Sequence, residues 1–205
     1  MDRRAFIIGA PLVLAGCGSG VSVWAPDDVV NAAAFRTRGP RSLTLYTMRN
    51  NGSNNGAHSA LLVDASQRVM FDPAGSFANP AIPERNDVLF GITPQIEDFY
   101  VSYHARETFH VVGQKVTVPD AVAEKALRLV LANGPVSQMN CTRATSTILG
   151  QLQGFESIGT TYFPGNLSDA FGKLDGVIET VYREDDADDK SIAAAQIDAA
   201  IKARQ

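Results

Sequence analysis

The chain is short of cysteine, of histidine and of positive charge, and each shortage removes a class of function. Only two cysteines, Cys17 and Cys141, occur in 205 residues, which excludes a scaffold stapled by several disulfides. Of the three histidines, His58, His104 and His110, none belongs to an HExxH motif or pairs with another ligand at metal-binding spacing. No metal or cofactor is therefore expected; a site assembled from His58, Asp72 and either His104 or His110 is one metal alternative, and calcium at the acidic run 184–189 is another that a solvated loop explains more simply. Lysine and arginine number 18 against 22 acidic residues; that balance lacks the basic footprint of a nucleic-acid binder. The Gly- and Asn-rich stretch 50–56 has no Lys-Ser/Thr ending and opens a strand rather than a helix, so it is no phosphate loop.

The N terminus has the layout of an export signal. Arg3 and Arg4 precede an apolar segment over residues 6–15 that is too short to span a bilayer, and small residues follow. Leu14-Ala15-Gly16-Cys17 resembles the bacterial lipobox, which implies lipidation of Cys17 and a membrane anchor. Arg3-Arg4-Ala5-Phe6-Ile7 resembles the twin-arginine export pattern, with an ordinary signal carrying two basic residues as the alternative. Gly18 after the anchor residue favours the outer membrane over the inner by the enterobacterial sorting pattern. The expected organisation is a signal over 1–16, an anchor and tether over 17–41, and one domain over 42–205 in the bacterial envelope, facing the periplasm. Loss of residues 1–16 removes Arg3, Arg4 and Asp2 and changes the net charge from −4 to −5. A mature chain of about 190 residues that is 45% apolar and 20% charged across the whole sequence supports one globular core.

Alternating and helical patterns interleave along that domain. Residues 42–48 (SLTLYTM), 58–63 (HSALLV), 68–72 (RVMFD), 108–118 and 177–182 read as strands, with 42–48 half-buried. A short loop Asp64-Ala65-Ser66 makes the second and third a hairpin and sets His58 directly opposite Asp72. Pro73 must leave the sheet, and the proline-rich segment 73–94 reads as a long irregular loop that roofs a site. Helices are expected over 93–105, from Pro119-Asp120, over 140–152, over 164–174 and over 191–204. The acidic run 184–189 reads as a solvated loop. The sum is an α+β domain around a mainly antiparallel sheet.

If Cys17 carries lipid, Cys141 is the sole free thiol of an exported chain, where such a group is buried or used. Asn140-Cys141-Thr142 opens a helix, and its unpaired N–H groups favour thiolate and can hold an oxyanion. A buried small hydrophobe is the competing role for this cysteine. His58 begins a strand with Asp72 available as orienter, which completes nucleophile, base and orienter for acyl transfer. Asp72 has a competing role as a cap for the turn at Pro73-Ala74-Gly75, and His104 and His110 have competing roles in packing.

A histidine opening a strand, a polar residue on the next strand and a later cysteine at a helix N terminus resemble the circularly permuted papain-like hydrolases. That group is related to NlpC-type cell-wall peptidases and includes lecithin:retinol acyltransferase-like enzymes. The resemblance rests on residues 56–63, on 69–72 and on Asn140-Cys141, about half the mature chain. It implies a permuted papain-like fold and a thiol hydrolase or acyltransferase with Cys141 as nucleophile, His58 as base and Asp72 as orienter. Peptidoglycan peptides are the implied substrate class, with lipid esters second. Two features depart from the pattern: the third polar position is an aspartate followed at once by Pro73, and the segment between Asp72 and Cys141 gives no purchase on the substrate. The competing function is a binding or structural lipoprotein that keeps the frame without the chemistry.

Overall fold

The computed structural model describes residues 22–75 and 77–202. Arg3, Arg4 and Cys17 lie outside them, and so does the expected signal. Among the described residues the elements run α1 (Asp27–Ala33), β1 (Ser42–Asn50), β2 (Gly56–Asp64), β3 (Arg68–Phe71), β4 (Glu84–Arg85), β5 (Val88–Leu89), α2 (Pro94–His104), β6 (Phe109–Thr117), α3 (Asp120–Ala132), α4 (Cys141–Leu149), α5 (Pro164–Phe171), β7 (Ile178–Tyr182) and α6 (Lys190–Lys202). The strands form one sheet in the order β4-β5-β3-β2-β1-β6-β7. Each neighbouring pair is antiparallel. The fold is α+β.

Strand β1 lies between β2 and β6, and helices cover both of its faces. Leu43 and Leu45 point into a core with Leu61 and Val63 of β2 and with residues of α3, α4 and α5, including Leu127, Leu149 and Phe171. Tyr46 and Met48 point the other way, into a second cluster with Leu62, Tyr100 of α2 and Ile197 of α6. The alternation in 42–48 had implied one wet face. Instead Ser42, Thr44 and Thr47 are all buried: Thr47 shares the covered face of Leu43 and Leu45, while Ser42 and Thr44 lie on the face of Tyr46 and Met48, against which α2 and α6 pack. Tyr46 there donates its hydroxyl to Glu97, which also pairs with the buried Arg68.

Three further expectations change. Residues read as tether include α1, whose Val30 enters the larger core. The loop 73–94 contains the two-residue strands β4 and β5, too short for any periodicity to show. The hairpin pairs Asp64 with Arg68 and Leu61 with Phe71, so its loop is Ala65-Ser66-Gln67, one residue later than expected. Asp72 then faces the level of Ala60 rather than His58.

Local chemistry accounts for the helix starts near the sheet ends. Thr93 accepts a hydrogen bond from the Ile96 N–H at 3.3 Å and Pro94 occupies the first turn of α2, as a capped start requires. The acidic run after β7 is a strap and not merely a solvated loop. Ser102 donates to Glu184 at 2.8 Å, Arg106 to Asp186 at 3.1 Å, and the Thr108 N–H to Asp188 at 3.1 Å. These bonds hold the chain leading into α6 against the end of α2 and the start of β6.

Candidate active site

The site begins where the sheet stops pairing. Strand β3 ends at Phe71, opposite Leu61, since Pro73 has no N–H for a ladder. The first residues of β2, from Gly56 to Ala60, therefore extend past it with an open edge. On the β1 side the register slips between Met48 and Arg49, leaving Ala57 unpaired beside the Met48–His58 pair. Such a bulge bends the strand and re-aims the next side chain, here His58.

Asp72 reaches His58 on the diagonal. Both lie on the face of the sheet that carries Ala60, and the His58 Nε2 sits 2.6 Å from Asp72 Oδ1. The same carboxylate oxygen accepts the Tyr100 hydroxyl at 2.9 Å, and the Asp72 side chain is 3% exposed. Turn and orienter are thus one arrangement: the Gly75 N–H donates to the Asp72 carbonyl at 3.0 Å while the carboxylate turns inward. A Cβ on Gly75 would lie 1.9 Å from Asp72 Oδ2. Gly75→Ala is therefore expected to displace the carboxylate, release His58 and slow alkylation of Cys141 by iodoacetamide at pH 7. Unchanged labelling kinetics in a folded Gly75→Ala protein would show that the carboxylate does not govern the thiol.

Cys141 opens α4, which packs beside the exposed edge of β2. The Thr142 hydroxyl lies 2.7 Å from the Ser59 hydroxyl and 3.7 Å from the Cys141 sulfur, tying the first turn of the helix to the strand. The Ser59 N–H, which has no β3 residue to meet, and the His58 ring both lie near enough to the Cys141 sulfur to favour its thiolate. With Nε2 engaged by Asp72, the nitrogen left for the sulfur is Nδ1. The three sequence-predicted residues, His58, Asp72 and Cys141, are brought together: Asp72 is hydrogen-bonded to His58, and His58 lies near enough to the sulfur to lower the thiol's pKa. Cys141 is 8% exposed, so a substrate carbonyl meets a sulfur almost flush with its surroundings.

The electrostatics make the imidazole and the thiol an ion pair. Burial disfavours the His58 cation, yet the Asp72 charge and hydrogen bond, with help from Cys141, raise its pKa from 6.5 to about 10. Burial likewise disfavours the thiolate, but the His58 ring and its charge, then Thr142 and the Ser59 N–H, lower the Cys141 pKa from 9.0 to about 7. Asp72 is pushed up by burial and pulled further down by His58, His104 and Tyr100, so that it ends below the ordinary carboxylate range. Between pH about 7 and about 10 the pair holds a thiolate and an imidazolium.

Two residues complete the site that the sequence did not single out. Tyr100 fixes Asp72, and it lies one helical turn before His104, a spacing that was readable once α2 was recognised. The Ser59 N–H had no signal in the sequence, because its role depends on where β3 ends. His104 stacks on His58 with ring centroids 6.3 Å apart and its Nδ1 donates to the Tyr100 carbonyl at 2.8 Å. Burial holds its pKa down at about 4, so it stands by as a neutral ring. His110 instead places Nδ1 2.7 Å from Asn51 Oδ1, away from the thiol. Among the described residues no group of three His, Cys, Asp or Glu side chains could hold a metal ion, and no helix is long and apolar enough to cross a membrane. No family model, curated protein or solved structure matches the chain.

Proposed function

We propose that the protein is a lipid-anchored envelope thiol hydrolase or acyltransferase with a permuted papain-like fold. The observation that carries this reading is the His58–Asp72 hydrogen bond of 2.6 Å beside Cys141, whose thiol pKa the imidazole lowers to about 7. The thiolate attacks the carbonyl carbon of an amide or ester, and the carbonyl oxygen takes the electron pair. N–H groups at the start of α4 receive that oxyanion. As the intermediate collapses, the imidazolium of His58 gives its proton to the departing amine or alcohol, leaving a thioester on Cys141. Neutral His58 then accepts a proton from water, whose oxygen attacks the thioester and releases the acid and the thiolate; an acceptor alcohol or amine in place of water gives acyl transfer.

Envelope location follows from the lipobox-like segment ending at Cys17, and with it peptidoglycan peptides as the first substrate class and lipid esters as the second. The purified chain incubated with each class, quenched in acid and read by mass spectrometry, is expected to show substrate cleavage and an acyl adduct on Cys141. Cys141→Ala abolishes both. The 8% exposure of Cys141 favours a second reading, a binding lipoprotein on the same frame. That reading gains if neither class is cleaved and no adduct forms.

A further inference from the structure

The segment read as a tether joins the fold almost at once. The Ala25 N–H donates to the Glu84 carbonyl at 2.9 Å and the Asn86 N–H to the Val23 carbonyl at 3.0 Å, so Trp24 pairs with Arg85 as an antiparallel rung on the outer edge of β4, itself the last strand at that end of the sheet. Helix α1 follows directly at Asp27. Val23 is only six positions from Cys17, a stretch that spans at most about 20 Å when fully extended. A lipid on Cys17 therefore holds the β4 edge close to the membrane surface.

That edge leaves apolar side chains in water. Trp24, the single tryptophan of the chain, is 63% exposed, Val23 41% and Val29 44%. The three border one open groove with Pro80, Ile82 and Pro83 of the loop before β4. The Arg85 guanidinium lies 4.6 Å over the Trp24 ring and pairs with Asp27. An indole with an apolar body and a polar edge suits the headgroup level of a bilayer. Arg85 offsets Asp27, while Asp28 is exposed and Glu84 half-buried nearby, so the rim carries excess negative charge. The lipid that it fits is zwitterionic, since an anionic surface would repel these acids.

We propose that the β4 edge, with Val23, Trp24 and Val29, is a membrane-contacting surface that seats the domain on zwitterionic phospholipid. The inference rests on the lipid anchor of the proposed function and adds an orientation to it. The turn between β4 and β5 carries that orientation to the site. Asn86 holds Val23, and the next residue, Asp87, accepts the Asp72 N–H on its carbonyl at 2.8 Å and the Val136 N–H, in the loop that leads to Cys141, on its carboxylate at 2.7 Å. The seated edge thus keeps Asp72, His58 and Cys141 near the lipid surface instead of at the end of a swinging tether.

The test uses the mature chain, its acylation at Cys17 read by mass spectrometry, reconstituted in phosphatidylcholine vesicles whose lipid is brominated either near the headgroup end or near the methyl end of its chains. As the sole tryptophan, Trp24 reports its own depth by quenching. Relative to unbrominated vesicles it is expected to lose about half its fluorescence with bromine near the headgroups and much less with bromine near the chain ends. The double variant Trp24→Phe with Tyr182→Trp moves the reporter to β7, at the opposite edge of the sheet, and is expected to stay unquenched. An unquenched Trp24 in the acylated chain, or equal quenching at both edges, would overturn the seat and leave the anchor standing. A Cys17 without an acyl group would overturn both.

Discussion

In His58→Ala, the pH at which alkylation of Cys141 by iodoacetamide reaches half its maximum is expected to rise from about 7 to 9 or above. The wild-type midpoint is the lowered thiol value. Without His58 the largest remaining influence is burial, which raises a thiol. The Ser59 N–H and Thr142 remain but are weaker. At pH 7 the thiolate fraction falls from about half to about one hundredth. A more basic thiolate is also a better nucleophile, by roughly 8-fold over two pKa units, so the net loss of rate is only about 6-fold. The shift in midpoint is the decisive reading, and a midpoint left near 7 would mean that the helix and strand N–H groups, not the imidazole, activate the sulfur.

Asp72→Asn is expected to cost both reactivity and stability, and the pH dependence separates the two contributions. The carboxylate is the first charge that keeps His58 protonated. With an amide in its place burial wins, His58 sheds its proton near neutrality, and the alkylation midpoint rises as in His58→Ala. For stability, His58 is raised from 6.5 to about 10 in the native state, so its contribution is complete below pH about 6.5 and fades as pH climbs through 10. Asp72 is lowered from 3.8, so its contribution is present above that value and is lost as acid protonates the native carboxylate. The stability gap between wild type and Asp72→Asn should thus be widest between pH about 4 and 6.5, on the order of 3–5 kcal/mol for breaking a buried pair, and should narrow on either side. Urea unfolding across this range measures it. A gap that does not vary with pH would assign Asp72 to packing and turn geometry alone.

What the sequence made legible is what depends on local pattern. The capped start of α2 at Thr93-Pro94, the long central strands, the hairpin and the helix opening at Cys141 each have a signal within a few residues. The α1 segment was missed because DDVVNAA commits only Val30 to the core, which gives no repeating apolar face. The positions of His58, Asp72 and Cys141 as partners were readable from residue type and chain order, but the diagonal contact was not. It requires the true register, and a one-residue error in the loop moved Asp72 by two places against β2. Tyr100 and the Ser59 N–H act through the ends of distant elements. Their roles follow from where β3 stops, and no window of sequence contains that fact.

Sulfur and imidazole share one proton in a buried pair, and thiolate titration reads that sharing without any substrate. Ultraviolet absorbance of the thiolate, taken as the difference between the wild-type chain and Cys141→Ser, is predicted to rise with a midpoint near pH 7. A midpoint at or above the ordinary thiol value of 9.0 would mean that His58 does not activate the sulfur.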